Sequence, residues 1–102
     1  MATGLGVQIR KILLDNLMSY FVYILECSDK TLYVGCTNDL QKRLKQHNEL
    51  KSGAHYTKIR RPTKLKYSQE FRTLAEARKR EAEIKNWRRE KKMELILKRN
   101  SF

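Results

Sequence analysis

The 102-residue chain has one proline, four glycines, two cysteines and two histidines. These scarcities exclude several classes of protein. Cys27 and Cys36 stand alone, with no CxxC spacing, and with so few histidines they offer no structural zinc site. Isolated thiols of this kind fit a reducing, cytoplasmic compartment. No apolar run approaches the ~20 residues of a membrane-spanning helix, and the N-terminus lacks the apolar core and cleavage site of a signal peptide. There is no internal repeat and no low-complexity tract. Acid is also scarce: 11 Asp and Glu stand against 23 Lys and Arg, for a formal net charge of +12. The excess is lopsided. Residues 1–50 carry six basic and five acidic side chains, and residues 51–102 carry 17 and six. A chain of this length makes one domain with a modest core, and its natural partners are polyanions rather than membranes.

What is present is organised around Phe21 to His47. Phe-Val-Tyr-Ile-Leu-Glu-Cys and Thr-Leu-Tyr-Val-Gly-Cys are rich in β-branched and aromatic residues, and Ser28-Asp29-Lys30 separates them as a three-residue hairpin loop. Pairing Cys27 with Thr31 makes cross-strand partners sum to 58. That register puts Val22, Ile24, Leu32 and Val34 on one face, and Tyr23, Tyr33 and Gly35 on the other. A two-residue loop would split the tyrosines between faces. Thr37 or Asn38 is the expected cap of a following helix, on which Leu40 and Leu44, and likewise Arg43 and His47, lie four apart and so share a face.

Further on, Ser52-Gly53 is expected to stop that helix. Ala54 to Pro62 reads as a polar, basic connection. Lys58, Arg60 and Arg61 in it are candidates for phosphates, and His55 and Tyr56 for stacking or hydrogen bonding; a solvated linker is the alternative. Leu65 to Phe71 alternates as a third strand. Thr73-Leu-Ala-Glu76 is a capping box opening a second helix with a stripe of Leu74, Ala77 and Ile84. Glu81 falls on that apolar stripe, whereas Glu83 faces solvent. A carboxylate there needs a partner, and a salt bridge to Arg43 or a lysine would supply one. Met93, Ile96 and Leu97 suggest a closing helix. The expected architecture is α/β: strands near 21–27, 31–36 and 64–71 form a central three-stranded sheet, flanked by helices near 38–51, 73–89 and 91–98. Residues 1–17 form an extension expected to be disordered, and 18–102 the domain.

The ordered set Val22-Tyr23, Tyr33-Val34-Gly35, Arg43, His47 and a later glutamate resembles the GIY-YIG nuclease family, in particular its small single-domain members. The resemblance spans roughly Ser19 to Leu97. It implies a GIY-YIG nuclease-type domain that cuts phosphodiester bonds with one divalent cation, Mg²⁺ or Mn²⁺. Glu81 matches the metal ligand, Arg43 the residue holding the phosphate oxygens, Tyr33 the residue orienting or deprotonating the attacking water, and Tyr23 and His47 their hydrogen-bonding helpers. Two positions depart from the pattern. Phe21 stands where the first motif usually has glycine, and Cys36 where some members have a lysine able to activate the tyrosine, which leaves Tyr33 and His47 both open as the base. The implied function is a metal-dependent endonuclease acting on nucleic acid, DNA above all, of the repair or recombination type. The alternatives are a non-catalytic nucleic-acid-binding module and a subunit that needs a targeting protein partner.

Overall fold

In the computed structural model, residues 19–49, 51 and 54–100 can be described. The extension 1–17 and the expected helix stop at Ser52-Gly53 lie outside them. The elements run β1 (Tyr20–Glu26), β2 (Leu32–Thr37), α1 (Leu40–Glu49), a one-turn α2 (His55–Lys58), β3 (Lys64–Phe71), α3 (Leu74–Lys85) and α4 (Arg89–Asn100). The strands form one antiparallel sheet in the order β2-β1-β3.

The hairpin closes as its loop length requires. Phe21 pairs with Thr37 and Tyr23 with Gly35, the register in which partners sum to 58. Asp29 Oδ1 accepts from the Thr31 backbone at 3.1 Å and from its hydroxyl at 2.6 Å. Lys30 takes the left-handed conformation, φ 70°, at the loop position where glycine is common. Val22, Ile24 and Val34 are buried in the core with Tyr67, Ala77, Ile84 and Ile96, and Leu32 packs against them. This face is covered by α3, which crosses β1 and β2, and by α4, which lies against β3.

Three local expectations are corrected. The cap of α1 is Asp39, not Thr37 or Asn38: Asp39 Oδ1 accepts from Lys42 N at 3.1 Å, and Thr37 Oγ1 instead accepts from Asp39 N. The connection after α1 is not a bare linker, because it folds into α2 and buries Thr57 completely. The helix expected over 73–89 ends at Lys85, and Leu74 is 41% exposed rather than on the core stripe. The chain turns at Asn86–Arg88 so that Trp87 packs on the core and α4 returns Met93 and Ile96 to it. Thr73 does cap α3, accepting from Glu76 N at 3.2 Å.

Candidate functional site

The other face of the sheet is organised by a close approach. Tyr23 lies opposite Gly35 and lays its ring across it. A methyl group at position 35 would stand 2.3 Å from Tyr23 Oη and 2.4 Å from Cζ, so only glycine leaves room for the ring. Tyr33 occupies the diagonal position on the same face, its ring centroid 6.4 Å from that of Tyr23.

Helix α1 delivers Arg43 and His47 to these tyrosines. His47 is fully buried, with Nε2 2.7 Å from Tyr23 Oη and Nδ1 2.7 Å from Thr57 Oγ1. The proton count sets the direction of this chain. The single Thr57 hydroxyl proton goes to the Ala54 carbonyl, 2.9 Å away, which can only accept. Thr57 Oγ1 therefore accepts from Nδ1–H of His47, leaving Nε2 bare to accept from the Tyr23 phenol. The residue that fixes this tautomer, Thr57, carries no mark in the sequence: it is one hydroxyl within a polar run.

Burial, reinforced by the nearby Arg43 and Arg61 cations, lowers the His47 pKa to about 4. The imidazole is neutral at physiological pH, and both of its nitrogens are engaged. Burial likewise raises the Tyr23 pKa to about 12, against the opposing hydrogen bond from Arg43. A depressed histidine pKa makes a prediction for stability. An unfolded histidine gains its proton near pH 6.5, whereas the folded one resists until about pH 4. His47 therefore adds no pH dependence above 6.5, and below it stability should fall by up to ~3 kcal/mol as pH approaches 4. Urea titrations of the wild type and His47→Gln between pH 7 and 4.5 would measure this. Parallel curves for the two proteins would refute the assignment.

Arg43 is half-buried, and its guanidinium lies within hydrogen-bonding reach of both phenols; one of its nitrogens donates to Gln46 Oε1 at 2.9 Å. Burial works against its charge, but the two tyrosines outweigh burial and move its pKa upward. The arginine thus supplies the cation beside Tyr33 that the sequence left unassigned.

Glu81 comes from α3 and has 16% of its side chain exposed. Its ion-pair partner is Lys85 at 3.6 Å rather than Arg43, and that lysine is 54% exposed. The carboxylate also acts electrostatically on Tyr23 and Cys36. The Cys36 thiol is pushed up by burial and by Glu81, and so stays protonated. Tyr23, Tyr33, Arg43 and His47, taken from three elements, thus converge on one face of the sheet, and Glu81 acts on Tyr23 electrostatically from α3.

The basic connection behaves differently. Arg60 pairs with Asp29 at 3.0 Å and stacks over Tyr56 at 3.8 Å, and Tyr56 in turn lies 6.0 Å from the Tyr33 ring. Arg61 donates to the backbone carbonyls of His47 and Gln46, at 2.6 and 2.9 Å. These two guanidiniums brace the site from outside. His55 is exposed and Lys58 half-exposed, both without an ion pair among the described residues.

Comparison with known proteins identifies the family of this fold. Residues 19–94 match the family model described as the GIY-YIG catalytic domain. The chain belongs to the GIY-YIG family. It is 54% identical over 76 residues to a UPF0213 protein of Syntrophus aciditrophicus, covering 74% of this chain and 87% of that one. A UPF0213 protein of Staphylococcus aureus is 49% identical over 81 residues, covering 79% and 98%. The solution NMR structure of a UPF0213 protein from Bacillus halodurans is similar with a TM-score of 0.55 at 38% identity, over 82% of this chain and 88% of that one. The fold is therefore nuclease-type, in a family that acts on nucleic acid. No helix among the described residues is long and apolar enough to cross a membrane.

Family membership raises the question of a cation. Among the described residues no group of three or more His, Cys, Asp or Glu could hold a metal, so no all-protein cage of the zinc kind is built there. A single partly buried carboxylate suits a hard ion that keeps most of its waters and takes substrate oxygens. The protonated Cys36 thiol beside it adds no competing soft ligand. The donor set fits Mg²⁺ or Mn²⁺.

Proposed function

We propose that this domain is an endonuclease that hydrolyses phosphodiester bonds in nucleic acid, with DNA of the repair or recombination kind as its substrate. The observation carrying the reading is that one guanidinium, Arg43, interacts with the phenols of both Tyr23 and Tyr33, while the Glu81 carboxylate acts on Tyr23 as well. A pure binding surface has no use for a carboxylate turned toward phosphates.

In this reading Arg43 holds the non-bridging phosphate oxygens and offsets the charge that grows on them. Glu81 would hold the Mg²⁺ or Mn²⁺ ion, which supplies Lewis-acid polarisation of a phosphoryl oxygen when bound. Tyr33, the more exposed of the two tyrosines, orients the attacking water and, as a phenolate beside the Arg43 cation, takes its proton. His47 is unsuited to be the direct base, since Nε2 is taken by Tyr23 and its basicity is low. Tyr23 and His47 therefore position the site, and His55, Tyr56, Lys58, Arg60 and Arg61 line the approach to it. The Lys85–Glu81 pair favours the competing reading of a binding module, because the lysine already meets the carboxylate charge.

The test is incubation with labelled single-stranded, nicked, branched and duplex DNA and with RNA, each with and without Mg²⁺ or Mn²⁺. Cleavage is expected only with metal. Tyr33→Phe should fold normally and lower the rate by the roughly 10²–10⁴-fold typical of a positioned acid–base group. Metal-independent binding without cleavage of any substrate would establish the binding module or a dependence on a protein partner.

A further inference from the structure

Beside the site, a second group of cations outside the 54–62 connection also faces open space. Between α1 and α3, next to Arg43, opens a concave pocket of about 380 Å³. Lys42 and Arg43 reach it from α1 and Arg78 from α3, while Tyr20 and Leu74 give it an apolar wall. Lys42 and Arg78 are exposed, and neither enters an ion pair among the described residues. The pocket's one acid, Asp39, turns an oxygen to the Lys42 backbone N–H as the cap of α1. Three cations against one carboxylate leave a local charge of +2. The pocket also explains Leu74, an exposed leucine that the amphipathic pattern assigned to the core.

A volume of this size falls in the range of small-ligand clefts, roughly 300–1,000 Å³. The wall chemistry is that of a nucleotide: cations for a phosphate, and an aromatic and an aliphatic surface for the sugar and base. We infer that this cleft is the subsite for the nucleotide next to the scissile bond, with Lys42 and Arg78 holding its phosphate and Tyr20 and Leu74 carrying its sugar. The inference rests on the nuclease reading, in which Arg43, shared by cleft and site, takes the scissile phosphate. It sends the strand on from the site through the α1–α3 cleft.

The experiment uses two probes on the ¹⁵N-labelled full chain, thymidine 3′,5′-bisphosphate and inorganic phosphate, followed by amide shifts. The bisphosphate should move the amides of Cys36 to Asp39 and Lys42, and inorganic phosphate should move them far less at equal concentration. The Lys42→Ala/Arg78→Ala double variant should keep the wild-type Tm and lose those shifts. Its binding to labelled DNA should have a slope of log K against log salt shallower by about 0.9, the share of one phosphate on a duplex. Equal shifts from both probes would reduce the cleft to a general anion site, and an unchanged slope in the variant would overturn the inference even where the wild type cleaves DNA. Bisphosphate shifts in a protein that cleaves nothing would overturn the nuclease reading and leave the nucleotide site standing.

Discussion

Glu81→Gln should bring cleavage to background while leaving the fold intact and nucleic-acid affinity unchanged or higher. The substitution keeps shape and hydrogen bonding and removes only the charge that would hold a cation. Were Glu81 a deeply buried ion-pair partner, losing it would cost stability instead, about 3–5 kcal/mol. Its environment argues against that. Lys85, the partner, lies one helical turn away at 3.6 Å and is 54% exposed, the kind of i,i+4 pair worth about 0.3–0.5 kcal/mol. A Tm close to wild type with no cleavage therefore assigns the carboxylate to the chemistry, because unfolding cannot account for the loss. Binding should hold or tighten, since one negative charge facing phosphates has gone. Cleavage at the wild-type rate by Glu81→Gln would remove the metal assignment altogether.

Gly35→Ala should damage both stability and activity. The added methyl would sit 2.3 Å from Tyr23 Oη and 2.4 Å from Cζ, and Tyr23 is only 1% exposed, so the ring has little room to yield. Displacing it overpacks the site face, about 1–3 kcal/mol, and takes the phenol from His47 Nε2, leaving a buried acceptor unpaired at about 1–3 kcal/mol. For a domain of this size Tm should drop by roughly 10 °C or more, and cleavage should fall beyond what the unfolded fraction explains. Tyr23→Phe should not rescue this variant, because a ring carbon remains within 2.4 Å of the new methyl. A Gly35→Ala protein with native Tm and rate would show that the ring is free to move.

Much of this was legible because it followed from period and loop length. A three-residue loop sets the register, and the register alone puts Tyr23, Tyr33 and Gly35 on one face. Helical spacing alone puts Arg43 and His47 together, and the position of Glu81 among Ala77 and Ile84 marked it as a carboxylate on an apolar stripe. What escaped depends on tertiary approach. Thr57 matters because α2 folds back onto α1, which nothing in Ala54 to Pro62 announces. Lys42 and Arg78 become neighbours of one cleft only once α1 and α3 are placed. In β3, the apparent alternation of Leu65 and Tyr67 hides a bulge. Tyr67 pairs with Ile24 on the core face while Leu65 pairs with Leu25, so two residues of equal parity face opposite ways.

The chain from Tyr23 through His47 to Thr57 ends on the Ala54 carbonyl, which has no proton to give and negligible appetite for one. It is a blind alley. A proton arriving at His47 Nε2 has no rear exit to solvent and must leave by the phenol that brought it. The imidazole can hold the phenol in place, but it cannot drain protons from the site. In the proposed hydrolysis, restoring the resting state would fall to the exposed side, where Tyr33 is the more accessible phenol.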